Sequence, residues 1–256
     1  MNKILSLIVF LGFLTFSCSS DKNSLNEEEI NSTGDSTSQE GDVPQISFYQ
    51  KEDSVQIPDA ILELYTPLGN QIFKPGKVPF EFNIKNYPYG LTPNPDFRLF
   101  NILNGGDPVG FGSAIFQREL TIGSYRIVAY LVNPEGLALK NFGNYVDRDF
   151  QVGVSRPFPY SGEPYLALNY PRNGQVFENG NELIIDFLVV GGDMKLDNLK
   201  VSVTIGDLSY EAKEMTPIRV ANLPKGDFQV KVRLLRTDGK ELEGPFSTVS
   251  KSIIVR

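Results

Sequence analysis

Apolar and polar residues alternate along most of the chain beyond residue 56, and this alternation predicts β-strands. Val78, Phe80 and Phe82 are separated by Pro or Glu, and the same period of two recurs from Tyr125 to Leu131. Such a period turns one row of side chains toward a core and the other row outward. No segment beyond the first seventeen residues sustains the i, i+3, i+4, i+7 apolar stripe of an amphipathic helix. The sequence therefore predicts an all-β protein.

The chain also contains one internal repeat, with an offset of 103 to 104 residues. The frame Leu-x-x-Pro-x-x-x-Gln-Ile/Val-Phe-x-x-Gly begins at Leu64 and again at Leu168. A second frame, Leu-x-x-Gly-x-Tyr/Phe, begins at Leu120 and again at Leu223. Because order and spacing persist through both copies, we infer two domains of about 100 residues each. Strands with turn signals at short spacing over that length are typical of a two-sheet β-sandwich.

The repeated frame resembles the bacterial immunoglobulin-like domains that are strung along surface lipoproteins and cell-wall-facing proteins. The resemblance covers about residues 60–152 and 164–256, and it implies a spacer, an adhesive module or a sugar-binding accessory with no catalytic residues. The predicted organisation is a lipoprotein signal peptide (1–17), a disordered acidic linker (18–56), a first immunoglobulin-like β-sandwich (57–154), a Pro-rich connector (155–164) and a second sandwich (165–256).

The N-terminus has the layout of a signal peptide. Lys3 precedes an apolar run from Ile4 to Phe16, which is shorter than the roughly 20 residues that a membrane-spanning helix needs. The residues that end in Cys18 resemble a lipobox, which implies acylation of this cysteine, palmitate among the acyl chains, and anchoring to a bacterial membrane. An ordinary signal peptide with a chance cysteine is the alternative. Ser19 is not the aspartate of an inner-membrane retention signal, so we expect the outer membrane and leave its face open.

The charge of the chain is concentrated before the repeats. Residues 19–56 carry nine acidic and two basic side chains, a net charge of −7 that equals the net charge of the whole chain. Residues 57–256 are therefore almost neutral. Nucleic acid is excluded as a partner, because binding to phosphates requires clustered Lys and Arg. The acidic linker should be disordered, because it has too few apolar residues to offset the entropy of ordering. Its glycosylation stays open.

The residues that most catalytic sites need are missing. The sequence has no histidine, and Cys18 is its only cysteine, which removes histidine-based catalysis, histidine zinc sites and a free thiolate nucleophile. We therefore expect no enzyme, no cofactor and no metal. Two loops of the second copy hold carboxylates that would suit calcium if they converged, with ordinary polar turns as the alternative. These carboxylates are Asp193, Asp197, Asp238 and Glu241.

The candidate ligand-binding residues are four aromatic side chains in two loops of the first copy, Tyr87, Tyr89, Phe142 and Tyr145. Ring faces beside amide groups suit a glycan or a protein of the cell envelope. The alternative is that the rings cover the core or pack against the second domain. We expect a non-enzymatic, membrane-anchored lipoprotein that acts as a ligand-binding or adhesive module. A structural spacer, or a subunit of an envelope complex, is the other hypothesis.

Overall fold

The fold is described by a computed structural model for residues 45–52, 55–89, 98–159 and 162–256. These ranges contain seventeen β-strands. They contain no helix with the length and apolarity that a membrane span requires. The all-β prediction is therefore confirmed. The predicted signal peptide, Cys18 and the rest of the chain up to residue 44 lie outside the described residues.

The first repeat folds into a sandwich of two sheets, here called sandwich 1. Its strands are β2 (Ile61–Thr66), β3 (Ile72–Phe73), β4 (Gly76–Lys85), β5 (Leu99–Leu103), β6 (Val109–Phe111), β7 (Ile115–Leu120), β8 (Gly123–Leu131) and β9 (Tyr145–Val152). One sheet has the order β2-β4-β7 and the other β3-β9-β8-β5-β6. Strand β3 runs parallel to β9, and all other pairs are antiparallel. The alternating residues Val78, Phe80 and Phe82 are buried between the sheets, as their period predicts.

The second repeat forms sandwich 2 with the same strand order. Its strands are β10 (Tyr165–Tyr170), β11 (Gln175–Phe177), β12 (Leu183–Val190), β13 (Leu199–Ile205), β14 (Leu208–Ala212), β15 (Ile218–Ala221), β16 (Gly226–Arg236) and β17 (Thr248–Val255). The sheet β11-β17-β16-β13-β14 matches its counterpart in sandwich 1, and β10-β12-β15 matches β2-β4-β7. Two sheets in this order, with one short strand that changes sheets, form an immunoglobulin-like β-sandwich. The chain thus contains two such sandwiches in tandem.

One strand comes from outside the repeats. Strand β1 (Ser47–Gln50) pairs antiparallel with β15 and becomes the fourth strand of that sheet. Ile46 and Phe48 pack against the core of sandwich 2, and the Phe48 ring stacks on Tyr210 with 5.6 Å between centroids. The prediction of a disordered linker over 18–56 is therefore wrong for these residues. Two inward apolar side chains are too few to produce a recognisable period, but an open sheet edge gives them a place to pack.

The two sandwiches pack against each other through a buried apolar layer, and both belong to one compact unit, Val43–Arg256. In β5 and in the second half of β8, most side chains on both faces are apolar: one face lines the core of sandwich 1 and the other faces sandwich 2. The facing residues are Phe100, Ile102, Val128 and Tyr130 of sandwich 1 and Tyr165, Ala167, Leu188 and Val190 of sandwich 2. Packing between the sandwiches thus sets the angle between the domains.

A buried polar network crosses this layer. Asp186 of sandwich 2 is fully buried and forms an ion pair with Lys140 of sandwich 1. Its other oxygen accepts hydrogen bonds from Ala138 N at 2.8 Å and from Asn169 Nδ2 at 2.7 Å. Asn169 in turn accepts a hydrogen bond from Tyr130 Oη at 2.8 Å. A buried network whose members are all partnered defines one relative position of the surfaces that it joins.

Candidate functional site

Two of the predicted ligand-binding tyrosines are packed on the core of sandwich 1. Tyr87 Oη donates a hydrogen bond to the Val132 carbonyl at 2.6 Å, and the Arg98 carbonyl lies within reach of the same proton at 3.2 Å. Tyr89 Oη donates to the Phe111 carbonyl at 3.3 Å. Burial raises the pKa of the Tyr87 phenol well above its ordinary value, and it raises the pKa of Tyr89 to about 12. These contacts match the alternative that the two rings cover the core.

Tyr145 lies elsewhere, against the apolar layer between the sandwiches. Burial raises the pKa of its phenol above the ordinary value, and the nearby carboxylates of Asp193 and Asp147 act in the same direction. The ring therefore contributes to the contact between the domains. It does not join Tyr87 and Tyr89 in a common surface, so the four predicted residues are not brought together.

Phe142 is the predicted residue that presents its ring to solvent. It lies in the loop between β8 and β9, and its side chain is 99% exposed. Aromatic side chains are enriched among the residues that contribute most to binding at protein interfaces. Phe142 is therefore the centre of the candidate site.

The loop that carries Phe142 is held rigidly. Asn144 is fully buried, and its Nδ2 donates to the Ala60 carbonyl at 2.7 Å while its Oδ1 accepts from Asn141 N at 3.2 Å. Leu62 N donates to the Gly143 carbonyl at 2.7 Å. The two residues that follow Phe142 thus fasten the loop to Ala60 and to Leu62 of β2, and Asn141 is bonded to Asn144 within the loop. A rigid loop presents an anchor without the entropy cost of ordering it on binding.

An open groove of about 810 Å³ lies beside the Phe142 ring. It is lined by Gln56, Ile57, Pro58, Asp59, Ile61, Asn86, Phe142 and Gly143. The side chain of Asn86 donates to the Asp59 carbonyl at 3.1 Å and joins two walls of the groove. Sequence reasoning missed the wall around Ile57 and Ile61, because these residues precede the first recognisable strand period. The site combines an exposed ring, apolar walls and side-chain amides.

The carboxylates considered for calcium stabilise their own loops. Asp193 Oδ1 accepts hydrogen bonds from the backbone N–H groups of Lys195 at 2.9 Å and Leu196 at 2.7 Å, and Asp197 Oδ2 accepts one from Asp193 N at 2.8 Å. Asp238 Oδ1 accepts from Lys240 N at 2.9 Å. Across the described ranges, no three acidic, Cys or His side chains converge on a common point where a metal ion would fit. The geometry corresponds to the alternative of ordinary polar turns.

Because Tyr89 is partly buried, its phenol should lose its proton at a higher pH than the phenol of a solvent-exposed tyrosine. A folded-state pKa near 12 lies above the ordinary value, so the neutral phenol contributes stability that is present below about pH 10 and is lost as the pH rises toward 12. In an alkaline titration, the absorbance of phenolate reports the ionisation of each tyrosine. The Tyr89→Phe variant should lack the part of the absorbance change that is centred near pH 12 in the unsubstituted protein. Removal of amplitude near pH 10 would instead identify a solvated ring, free to contact a ligand.

Comparisons with other proteins give structural matches only. No protein-family model matches the chain, and no curated protein matches its sequence. Among solved structures, the fibronectin(III)-like modules of CbhA from Clostridium thermocellum match with 14% identity and a TM-score of 0.30, over 77% of this chain and 94% of that chain.

Two further solved structures are similar at the same level. Three N-terminal domains of the outer capsid protein Hoc of bacteriophage RB49 match with 12% identity and a TM-score of 0.23, over 77% of this chain and 70% of that one. The insect immune protein hemolin matches with 11% identity and a TM-score of 0.23, over 77% of this chain and 47% of that one. Scores this low support no conclusion about function, so the fold assignment rests on the sheet order.

Proposed function

We propose that the protein is a non-enzymatic, lipid-anchored binding module of the bacterial envelope, with the Phe142 groove as its binding site. The observation that carries the proposal is the fully exposed Phe142 ring on a loop that buried Asn144 holds in place. The ligand is a protein or a glycan of the envelope, because the groove offers an aromatic face, apolar walls and the amides of Gln56 and Asn86. Binding then needs no rearrangement of the backbone.

The absence of histidine from the whole sequence supports a role without catalysis. General acid–base chemistry with carboxylates alone would require two of them to face each other across a cleft. Among the described residues, Asp59 is the only carboxylate that lines the groove beside Phe142. This part of the chain therefore offers the groove contacts for recognition and no second carboxylate for hydrolysis.

Anchoring through Cys18 is the part of the proposal that rests on the N-terminal sequence. We expect Cys18→Ser to release the folded protein from the membrane fraction, because the acyl chains supply about 0.8 kcal/mol for each buried CH₂ group. Fractionation followed by extraction with detergent measures the release. Membrane retention of the variant at the mature molecular mass would contradict lipid anchoring.

Site-specific photocrosslinking tests the groove. A photoreactive phenylalanine analogue at Phe142 should crosslink to an envelope component in intact cells. The matched control is the same analogue at Leu196, which is 81% exposed on sandwich 2 and lies outside the groove. With the analogue placed instead at Ile61 of the same groove, Phe142→Ala should abolish capture without lowering the free energy of unfolding by more than about 0.5 kcal/mol, since the Phe142 side chain is already in water. Equal crosslinking at both positions would reject the groove as a specific site.

The apolar layer between the sandwiches favours a second candidate function, a structural spacer. A rigid body of two domains would hold a partner at a defined distance from the membrane, and this role would not require binding in the Phe142 groove. In that case Phe142→Ala leaves assembly intact, whereas substitutions that separate the sandwiches disrupt it. Comparing these two classes of variant in one assembly assay distinguishes the candidates.

A further inference from the structure

Sandwich 1 has an open sheet edge at the position where sandwich 2 carries β1. In the described residues, β7 (Ile115–Leu120) pairs with β4 on one side only. Its counterpart β15 (Ile218–Ala221) pairs with β12 on one side and with β1 on the other. Because the repeats share one sheet order, the pair β15–β1 demonstrates that this edge of the fold accepts an extended segment. An unpaired strand edge is a ready template for another chain.

The backbone of β7 exposes hydrogen-bonding groups along this edge. The Ser113 hydroxyl accepts a hydrogen bond from the N–H of Ile115 at 3.2 Å and donates one to its C=O at 2.7 Å. Both backbone groups of Ile115 therefore point away from β4. Outward-pointing groups recur at every second residue of an antiparallel pair. Gln117 and Glu119 therefore also direct their N–H and C=O to the edge. Ile115, Gln117 and Glu119 thus correspond to the residues in and next to β15 whose backbone groups point toward β1.

The inward side of the edge differs between the two repeats. Arg118 occupies the position that Val220 takes in sandwich 2. Arg118 lies opposite Val78 on β4. Val220 lies opposite Leu183 on β12, which is the residue equivalent to Val78. Arg118 Nη1 donates to Asn101 Oδ1 at 2.7 Å, and the counterpart of Asn101 in sandwich 2 is the fully buried Val203. A pair of apolar residues has thus been replaced by a pair of polar ones.

This polar pair has unmet bonding capacity. Arg118 is half-buried, and burial lowers the pKa of its guanidinium. Within the described part of the chain, no carboxylate lies within 4.0 Å of it. Asn101 is fully buried, and its Nδ2 has no hydrogen-bond partner among the described residues. The unpaired Nδ2 of Asn101 costs stability while it stays buried, and the half-buried guanidinium of Arg118 can donate to a carboxylate.

We propose that β7 is an acceptor edge for an extended acidic segment of a partner protein. The backbone of that segment pairs with Gln117 and Glu119, and a Glu or Asp side chain on its inward face forms an ion pair with Arg118. The position follows from sandwich 2, where Phe48 of β1 lies directly opposite Val220. The carboxylate of the partner lies where the Phe48 ring lies in sandwich 2. A carboxylate is favoured at this position because its charge is complementary to that of Arg118.

Peptides with the sequence of residues 45–52 test the proposal, because β1 already fits the equivalent edge. Three peptides are titrated into the mature full-length chain: the native sequence, Phe48→Glu and Phe48→Gln. We expect the Glu peptide to bind about ten-fold more tightly than the Gln peptide, since only its carboxylate forms an ion pair with Arg118. Hydrogen exchange should slow at the amides of Gln117 and Glu119 on binding, and added salt should weaken the Glu peptide most.

Two variants of the protein separate the backbone contact from the charge contact. Arg118→Val introduces the residue of sandwich 2 and should reverse the preference, so that the native Phe48 peptide binds better than the Glu peptide. Gln117→Pro removes one edge N–H while leaving Arg118 in place, and it should abolish binding of all three peptides. Circular dichroism and thermal unfolding establish that both variants are folded.

Several results would overturn the proposal. These are equal affinities for the Glu and Gln peptides, no binding of any peptide, or binding of the Glu peptide that survives Gln117→Pro. Slow exchange of the Gln117 and Glu119 amides in the chain without peptide would also contradict it, because the edge would then already be covered by this chain or by a second copy. Protection that appears on β15 instead of β7 would identify exchange with β1 and equally reject the acceptor role of sandwich 1.

Discussion

Leu188→Asp should separate the two sandwiches while each of them stays folded. Leu188 is fully buried in the apolar layer between the domains, and a carboxylate there has no partner. Burial of an unpaired charge costs several kcal/mol, and the contact between the domains can open to avoid that cost. Small-angle scattering should therefore record a larger radius of gyration, and calorimetry should resolve two unfolding transitions instead of one.

The adjacent residue provides the matched control. Val189 is equally buried but faces the core of sandwich 2, which cannot open without unfolding. Val189→Asp should therefore lower the free energy of unfolding of sandwich 2 by about 5 kcal/mol or more and remove its transition. If Leu188→Asp unfolded sandwich 2 in the same way, the two domains would be a single cooperative unit and the packing between them would be a true core.

Lys140→Met should lower the free energy of unfolding by about 3 to 5 kcal/mol, the largest effect we expect from a single substitution at a partly accessible residue. Methionine retains most of the apolar stem, so the loss reflects the charge. Asp186 would remain fully buried without its cation, and its hydrogen bonds from Ala138 N and Asn169 would not offset the missing ion pair. Chemical denaturation measures the change.

The double variant Lys140→Met/Asp186→Asn tests this explanation. Asparagine keeps an acceptor for Ala138 N and removes the buried charge, so at least about 2 kcal/mol of the loss should be recovered. A double variant that is as unstable as Lys140→Met alone would show that the loss comes from packing. In that case the ion pair would contribute little to the docking of the domains.

The strands were predictable because their side chains alternate with a period of two, and the repeat was predictable because both copies keep the same turns. The layer between the domains was not predicted, although its signal is present in the sequence. From Leu99 to Leu103 four of five residues are apolar, and Ile127 to Val132 are all apolar. A strand without polar alternation is one that is covered on both faces, and in a sandwich the second cover must be another domain.

The candidate site was predicted only in part. Sequence identifies aromatic residues in loops, but it cannot tell a ring that covers the core from one that points to solvent. Tyr87 packs inward because its hydroxyl lies within hydrogen-bond distance of two backbone carbonyls. These carbonyls belong to residues 11 and 45 positions away along the chain. Phe142 stays exposed because Asn144 fastens its loop to Ala60, 84 positions away. Both outcomes depend on contacts that exist only after the sheets have formed.

The attachment of β1 has a mechanical consequence. Sandwich 1 follows β1 directly in sequence, yet β1 is bonded to sandwich 2. In the proposed anchored form, tension that arrives along the chain before Gln45 is therefore transmitted first to β15, through the hydrogen bonds of a four-residue strand. Force on a ligand in the Phe142 groove then passes through both sandwiches and the apolar layer between them, and the segment that joins β1 to β2 carries no load until β1 detaches. The weakest element of this path would lie next to the anchor, and its detachment would transfer the load directly to β2 of sandwich 1.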